Sequence, residues 1–494
     1  MIPAVLERRR AGVLLHPTSL PGGVGNGDLG ADAHRFVDFL GQAGFTVWQT
    51  LPLGPPHRDG SPYHSLSLHA GNPMLISLER LVEWGWLDAG NPAGSVNPVG
   101  YRLKRLAQAH QIFTQRASVS DRQVFEAFIN AEAHWLEDYA LYRVLRREYS
   151  GRAWYQWPAP LRDREPRAVA EARARFIDEI TRVCFEQFAF ARQWQALRTH
   201  ANERHVLLFG DMPIFVAHDS VDVWTQREYF MLDAEGQPTV VAGVPPDYFS
   251  EQGQRWGNPL YRWGRMQADG FRWWIARLTT EFRRFDLLRV DHFRGFDACW
   301  EIPATEDTAI NGRWVKVPGE ALFETLKTHF GALPVVAEDL GLITPEVHAL
   351  RDRFDLPGMK ILQFAFDSGP DNPYLPHNHR VASVVYTGTH DNDTTLAWFE
   401  NLPAETQLRA VEYLGYPHES MPWPLIRSAF ASVSQLAIIP MQDVLALGRG
   451  YRMNTPGTTE GNWRWRFAWE QLPPDLTERL RRMARLYGRE IKQA

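Results

Sequence analysis

The segments "DLLRVDHF" (286–293), "ALFETLKTHFG" (321–331) and "PVVAEDLG" (334–341) follow one another in the chain. The first and the last are short apolar runs that end in charged residues, as strands of a parallel sheet buried on both faces do. In the middle segment, the leucines and the second phenylalanine lie on one helical stripe that a glycine closes. This order predicts a βα unit followed by another strand.

The same alternation extends through the chain. Six further apolar runs have this character: "GVLLH" (12–16), "TVWQTLPLG" (46–54), "HVLLFGDMPIF" (205–215), "GMKILQFAF" (358–366), "SVVYTGTHDND" (383–393) and "LAIIPMQDVL" (436–445). Helical patterns cover 32–44 and 344–354, the second with Thr344 as its N-cap. Eight such strands predict an α/β protein, a (β/α)8 TIM barrel. An open doubly wound sheet is the alternative, but no G-x-G-x-x-G follows a strand.

The spacing of the strands is uneven. A long gap after the second strand contains helical patterns at 122–149 and 164–201. We therefore expect one catalytic barrel domain over 1–494, with a mostly helical insertion over about 71–200. Residues 240–261 combine Pro, Gly and aromatics with little periodicity, which predicts a functional loop.

Composition excludes several classes of protein. Hydrophobic residues make up 44%, and the net charge of −5 lacks the basic excess of a nucleic-acid binder. No apolar run approaches the roughly 18 residues of a membrane span, and the first residues lack the order of a signal peptide. Two cysteines cannot build a disulfide framework, which fits a reducing cytosol. We expect a cytoplasmic protein without nucleic-acid or membrane partners.

Polar residues follow the predicted strands at the end where barrel enzymes place their catalytic groups. They are Asp211, Arg289, Asp291, Glu338, His390 and Asp391. Four carboxylates should therefore converge on one mouth of the barrel, together with an arginine and a histidine.

The pattern favours acid–base and nucleophilic chemistry on a sugar. Asp291 and Glu338 end consecutive strands about 4.8 Å apart, close to the roughly 5–5.5 Å between the carboxyls of retaining glycosidases. Arg289 shares a strand face with Asp291 and favours its ionised, nucleophilic form. Glu338 follows apolar residues, which favours the protonated form of a general acid. Asp391 is a third carboxylate, available to accept hydrogen bonds from sugar hydroxyls.

Structural explanations exist for each of these groups. Arg289 and Asp291 could form a buried ion pair, Glu338 and Asp339 could cap a helix, and 390–394 could be a turn with an N-cap. Clustering on three strand ends weakens this interpretation, because buried carboxylates are costly to bring together.

Two other kinds of enzyme are disfavoured. His57, His64 and His69 have spacings unlike metal-ligand pairs and occupy a Gly/Pro-rich loop, so surface or substrate contacts are favoured over ligation. No G-x-S-x-G elbow is present for a serine hydrolase.

A set of longer motifs carries a family resemblance. They are "HPTSLPG" (16–22), "QTLPLGP" (49–55), "SPYHSLSLHAGNP" (61–73), "GDMPIFVAHDSVDVW" (210–224), "GVPPDYFSEQGQRWGNPLY" (243–261), "RVDHFRGF" (289–296), "AEDLG" (337–341), "PGMKILQFAF" (357–366), "TGTHDNDT" (387–394) and "RMNTPGT" (452–458). In this order, they resemble the 4-α-glucanotransferases (amylomaltases) of glycoside hydrolase family 77, over nearly the whole chain. The resemblance implies a (β/α)8 barrel with subdomain insertions that transfers α-1,4-glucan segments with retention.

The resemblance also implies roles for individual residues. Asp291 matches the family's nucleophile, Glu338 its general acid/base and Asp391 its transition-state stabiliser. The matching substrate-binding residues are Tyr63, Asp211, Arg289 and His390 around the transferred glucose, Tyr248, Phe249 and Trp256 in the loop over the acceptor groove, and Asn454 in the groove.

The implied ligands are maltooligosaccharides and α-glucans derived from starch or glycogen. The implied mechanism needs no metal or organic cofactor, and a monomer or a small homo-oligomer is expected. A retaining α-glucan hydrolase on the same barrel and a non-catalytic glucan-binding protein are the alternatives.

Overall fold

The computed structural model describes residues 6–90, 97–246, 250–341 and 343–490. Its strands are β1 (Arg10–Leu14), β2 (Val47–Gln49), β3 (Leu207–Met212), β4 (Val240–Val244), β5 (Gln254–Pro259), β6 (Leu287–Val290), β7 (Ala298–Pro303), β8 (Arg313–Lys316), β9 (Val335–Ala337), β10 (Gly358–Ile361), β11 (Ser383–Tyr386) and β12 (Leu436–Pro440). Eight of them form one parallel sheet in the order β10-β11-β12-β1-β2-β3-β6-β9. Its two ends meet where the amide of Ala337 donates to the carbonyl of Pro357 at 2.8 Å, so the sheet curls into a barrel.

Helices surround the barrel. They are α1 (Ala31–Gln42), α2 (Leu78–Glu83), α3 (Pro98–Arg116), α4 (Val119–Ala131), α5 (Leu136–Glu148), α6 (Ala159–Arg162), α7 (Pro166–Arg175), α8 (Ile177–Glu203), α9 (Val221–Thr225), α10 (Trp263–Ala268), α11 (Arg272–Arg284), α12 (Gly319–Phe330), α13 (Pro345–Arg353), α14 (Thr395–Asn401), α15 (Ala404–Tyr413), α16 (Trp423–Ala431), α17 (Met441–Val444) and α18 (Leu476–Leu486). Among the described residues, no helix is long and apolar enough to cross a membrane.

The predicted barrel is confirmed, since each of the eight apolar runs overlaps one of its strands. The cyclic strand order excludes the open doubly wound sheet. The helical patterns at 32–44, 321–331 and 344–354 correspond to α1, α12 and α13. Thr344 occupies the N-cap position of α13 but makes no capping hydrogen bond.

Helices α2 to α8 lie between β2 and β3. The single helical pattern at 122–149 is divided between α4 and α5, with a turn at 132–135. We propose that 71–200 is a helical insertion within a single catalytic domain, as the sequence predicts.

The segment 240–261 is more regular than the loop that the sequence predicts. Both of its ends are strands, and a separate antiparallel sheet has the order β5-β4-β7-β8. The backbones of β4 and β5 approach so closely that a Cβ on Gly243 would lie 2.2 Å from the carbonyl oxygen of Gln254. Glycine is therefore required at this crossing, and it also removes the apolar alternation that signals a strand.

The lower half of the barrel interior is apolar. Its packed side chains include Leu14, Val47, Phe209, Leu287, Val336, Ile361, Tyr386 and Ile438. Because side chains alternate along a strand, Arg289 points to the same interior as Leu287, and Glu338 to the same interior as Val336. The charged groups thus form a polar layer on an apolar floor.

Arg489, just after α18, fastens the end of the described chain to the barrel. Its side chain is 0% exposed. The guanidinium donates to the carbonyl oxygens of Phe430, Arg10 and Ser432 at 2.9 Å and to that of Ser434 at 3.0 Å. Arg9 also donates to the carbonyls of Phe430 and Ser432, both at 2.8 Å, so the two guanidinium groups together satisfy these buried acceptors.

We expect Arg489→Met to lower the free energy of unfolding by about 2–3 kcal/mol, because buried carbonyls, among them that of Ser434, lose the guanidinium as a donor while those of Phe430 and Ser432 keep Arg9. Denaturant unfolding measures the effect. Arg482→Met, on the exposed face of α18, is the matched control and should change stability by less than about 0.5 kcal/mol. Equal effects of the two substitutions would contradict the assignment.

Candidate active site

The strand register brings the predicted carboxylates to one mouth of the barrel. Asp211 in β3 lies beside Arg289 in β6, and Val290 lies beside Ala337 in β9. Asp291 and Glu338 are the next residues on these neighbouring strands. The amide of Glu338 donates to the carbonyl of Val290 at 3.0 Å, which holds the two strand ends together.

Arg289 joins two of these carboxylates. Its Nη1 donates to both carboxylate oxygens of Asp211, at 2.7 and 2.9 Å, and its Nη2 donates to Asp291 Oδ1 at 2.8 Å. Burial alone would lower the pKa of the guanidinium. The two carboxylates outweigh burial, and the pKa of Arg289 is raised well above its usual value. One cation therefore fixes two acids.

Glu338 is buried and held by backbone groups. Its Oε2 accepts from the amide of His292 at 2.7 Å, and its Oε1 accepts from the amide of Leu340 at 3.1 Å. Burial is the largest influence and raises the pKa of Glu338 to about 7; Arg289 opposes this and Asp291 adds to it. At neutral pH this carboxyl can both give and take a proton.

The loop after β11 supplies His390 and Asp391. Asp391 Oδ1 accepts from Asn454 Nδ2 at 2.7 Å and lies 3.4 Å from His390 Nε2. Arg452 donates to the main-chain carbonyls of both Asp391 and Asn454. Two chain segments far apart in sequence therefore orient the third carboxylate.

Asp443 anchors the same loop from below. Its buried carboxylate accepts from the hydroxyls of Thr387 and Thr395, both at 2.6 Å, and from the amide of Thr395 at 2.7 Å. Thr387 and Thr395 flank His390 and Asp391 in the chain. The loop is thereby pinned at both ends.

Aromatic side chains form one wall of the site. The Tyr63 ring stacks on His390 with centroids 5.1 Å apart, and the Trp463 ring lies 6.0 Å from each of them. Tyr63 also donates its hydroxyl to Asp211 Oδ2 at 2.7 Å. Its ring position is thus tied to the Arg289 ion pairs.

Trp256 in β5 lies on the opposite side and is 39% exposed. Its ring stands edge-on to His292, with centroids 4.9 Å apart. Burial lowers the pKa of His292 to about 4, so this imidazole is neutral at pH 7. Tyr248 and Phe249, the other predicted contacts of this segment, lie outside the described residues.

The two sides enclose a cleft of about 560 Å³. Its lining includes Tyr63, Trp256, Asp291, His390, Asp391, Asn454 and Trp463. A cleft walled by flat aromatic faces, with carboxylates and an amide between them, suits rings that carry many hydroxyl groups.

Of the three histidines in the Gly/Pro-rich segment, two lie together and the third lies apart. The rings of His57 and His64 stack with centroids 3.9 Å apart, and His64 Nδ1 lies 2.9 Å from Asp59 Oδ2. His69 instead lies against Thr280, with Nδ1 2.7 Å from the hydroxyl oxygen. Within the described part of the chain, no three His, Cys, Asp or Glu side chains are grouped as metal ligands.

Sequence reasoning did not single out Arg452 and Trp463. Arg452 belongs to the "RMNTPGT" motif, and membership of this motif was the one feature of the sequence that could have indicated its role. Trp463 is one of nineteen tryptophans, and no pattern distinguishes it from those of the core.

A family model described as 4-alpha-glucanotransferase matches residues 15–471. The chain belongs to the 4-alpha-glucanotransferase family. The 4-alpha-glucanotransferase of Thermus thermophilus is 51% identical over 96% of this chain and 98% of its own length. That of Synechocystis sp. is 47% identical over 99% of both chains.

A solved relative agrees in fold. Amylomaltase from Streptococcus agalactiae in complex with acarbose has a TM-score of 0.94 and 36% identity, covering 98% of this chain and 100% of that one. The chain is therefore a glucan-transferring enzyme built on the barrel of the 4-alpha-glucanotransferase family. The predictions of family, fold and enzyme class are confirmed.

We expect Arg289→Met to destabilise the protein by about 3–5 kcal/mol near neutral pH, because it leaves Asp211 and Asp291 without their cation. Burial already raises the pKa of Asp211, and it would rise further without the guanidinium. When the pKa of a carboxyl is higher in the folded state than in the unfolded state, the folded state binds the proton more tightly. Its contribution to stability is then present at low pH and is lost as pH rises. The deficit should therefore shrink when unfolding is measured at about pH 5 instead of about pH 8.

Two further variants test this explanation. Adding Asp211→Asn to Arg289→Met should recover part of the loss, since one unpaired charge disappears. Arg272→Met, at an exposed position of α11, is the control. A deficit that is independent of pH would argue against unpaired carboxylates as its cause.

Proposed function

We propose that the enzyme transfers α-1,4-glucan segments by a retaining double displacement at Asp291 and Glu338. The observation that carries this proposal is the pairing of an arginine-bound carboxylate with a carboxyl of pKa about 7 on the neighbouring strand end. A carboxyl whose pKa is raised by burial suits a general acid, and a carboxylate held by a guanidinium suits a nucleophile.

Asp291 is the proposed nucleophile. Arg289 fixes its Oδ1 and leaves its other oxygen free of that contact, and its side chain is 31% exposed toward the cleft. It attacks the anomeric carbon, the glycosidic bond breaks, and a covalent glucosyl–enzyme ester forms.

Glu338 is the proposed acid and base. In the first step its protonated form gives its proton to the leaving glycosidic oxygen. In the second step its carboxylate removes the proton of an incoming 4-hydroxyl, which attacks the ester and forms a new α-1,4 bond. The amides of His292 and Leu340 hold both oxygens in place through the cycle.

The surrounding groups are proposed to bind the transferred glucose. Asp391 accepts hydrogen bonds from its hydroxyls and stabilises the transition state, with Asn454 and His390 setting its orientation. Asp211 and Tyr63 act in the same subsite. Trp256 contacts the acceptor, together with Tyr248 and Phe249, the two predicted contacts outside the described residues.

Transfer requires that a sugar hydroxyl outcompete water. An aromatic-walled cleft gives an acceptor ring surfaces to stack on and positions its hydroxyl for attack, which water cannot exploit. Donors and acceptors are maltooligosaccharides and related α-glucans, a choice supported by the relative solved with acarbose. We further propose a cytoplasmic location, which the two free, buried cysteines fit.

Incubation with maltotriose tests the proposal. The wild type should yield glucose and a ladder of longer glucans, whereas a hydrolase yields only shorter products. Asp291→Asn should lower turnover at least about 10³-fold with the fold intact, because it removes the nucleophile. Asp88→Asn, at an exposed site, should retain full activity. A fully active Asp291→Asn variant would refute the assignment.

The pKa of Glu338 predicts the pH dependence. Formation of the covalent intermediate needs the protonated carboxyl, so kcat/KM should fall tenfold per pH unit above about 7. Glu338→Gln should remove this limb, and azide should restore turnover of a donor with an activated leaving group. A wild-type profile that stays flat to about pH 9 would exclude Glu338 as the general acid.

A further inference from the structure

His16 is a buried histidine at the mouth of the barrel. It is the first residue of the "HPTSLPG" motif and lies two positions after the last residue of β1. The residue is 7% exposed, and its Nδ1 has no hydrogen-bond partner among the described residues. Because buried polar atoms in folded proteins are nearly always hydrogen-bonded, a partner for this nitrogen is expected.

A small cavity of about 20 Å³ lies next to His16. His390 of the proposed active site lines it, and so does Trp465. The indole Nε1 of Trp465 is also buried and has no partner among the described residues. Ser19 and Gln442 are the other polar residues of the lining, and the rest of it is apolar. A polar cavity of this size has room for one water molecule and for no larger ligand.

The hydrogen-bonding groups around the cavity suit a water molecule. Burial lowers the pKa of His16 to about 3, and His390 acts in the same direction, so the His16 imidazole is neutral at pH 7. A neutral imidazole offers one N–H donor and one acceptor nitrogen, whereas the indole of Trp465 can only donate. Water can accept from Trp465 and still donate to, or accept from, both imidazoles.

His390 is the group in this cavity that needs orienting. Its ring stacks on that of Tyr63, which fixes the plane of the imidazole but not the nitrogen that carries the proton. The one polar contact of this imidazole found among the described residues is the 3.4 Å approach of Nε2 to Asp391 Oδ1, which is longer than an ordinary hydrogen bond. A hydrogen bond to one ring nitrogen sets the protonation of the other.

We propose that one ordered water molecule joins His16 and Trp465 to His390, and that His16 is thereby a positioning residue for the transfer reaction. The water holds the His390 imidazole in the orientation and tautomer that present Nε2 to Asp391 and to the transferred glucose. The inference rests on the proposed role of His390 in that subsite. It connects the "HPTSLPG" motif, which follows β1, to the chemistry at the neighbouring strand ends.

Single substitutions test this role through kcat/KM for glucose release from maltotriose. His16→Leu removes both ring nitrogens and should lower kcat/KM about five- to tenfold, as the loss of one hydrogen bond implies. His16→Asn keeps a polar group near the place of Nδ1 and should lose less than about threefold. His418→Leu, at an exposed position, is the matched loss of an imidazole and should leave kcat/KM unchanged.

A second background separates positioning from a merely structural role. In His390→Ala, adding His16→Leu should cause no further loss, because its effect passes through the missing imidazole. The same loss in both backgrounds, or unchanged kcat/KM for His16→Leu alone, overturns the inference and leaves the proposed function standing. A fully active His390→Ala variant instead refutes the proposed role of His390, and this inference with it.

Should His16→Leu fail to fold by circular dichroism, Trp465→Phe decides in its place, because it removes the indole N–H and keeps an aromatic ring. It should lower kcat/KM several-fold in the wild-type background and not in His390→Ala; equal losses in both would overturn the proposal. A high-resolution crystal structure of the wild type adds a direct check. It should show a water within hydrogen-bond distance of His16 Nδ1 and of a His390 nitrogen, and a cavity without that water would also overturn the proposal.

Discussion

One buried guanidinium organises the mouth of this barrel. Arg289 in β6 binds Asp211 on the neighbouring strand β3 and Asp291, which directly follows β6. Buried like charges repel, and each would be costly alone. The shared guanidinium offsets the repulsion between the two carboxylates. It also fixes Asp211 as the acceptor for the hydroxyl of Tyr63. The aromatic wall of the cleft therefore depends on an ion pair beneath it.

Glu338, in the same site, is held differently from the two carboxylates that Arg289 binds. Among the described residues, no side-chain cation forms an ion pair with it; two backbone amides hold its oxygens, and burial raises its pKa to about 7. His292, whose amide is one of the two, has a left-handed backbone conformation with φ of 51°. Glu338 and Asp291 stand on adjacent strand ends, but one is held by backbone amides and the other by a guanidinium. This difference suits Glu338 to the proposed proton transfer and Asp291 to the proposed nucleophilic attack.

Several elements could be predicted because their physical signal is local. Buried parallel strands read as apolar runs, and all eight barrel strands were found in this way. The antiparallel sheet was missed because β4 pairs with β7, a strand distant in the chain, and because neither β4 nor β5, its other neighbour, shows the alternation of apolar residues that signals a strand. Arg452 and Trp463 were missed for the same reason, since their roles arise only where the chain after β12 returns to the cleft.

By itself, the sequence determined the barrel, the strand ends that carry acids and the family. These follow from periodicity and from residues adjacent in the chain. Only the tertiary structure decided that Arg289 binds Asp211 as well as Asp291, and how Asn454 holds Asp391. These outcomes depend on segments separated by tens to hundreds of residues, and both burial and hydrogen-bond partners are fixed only when such segments pack together.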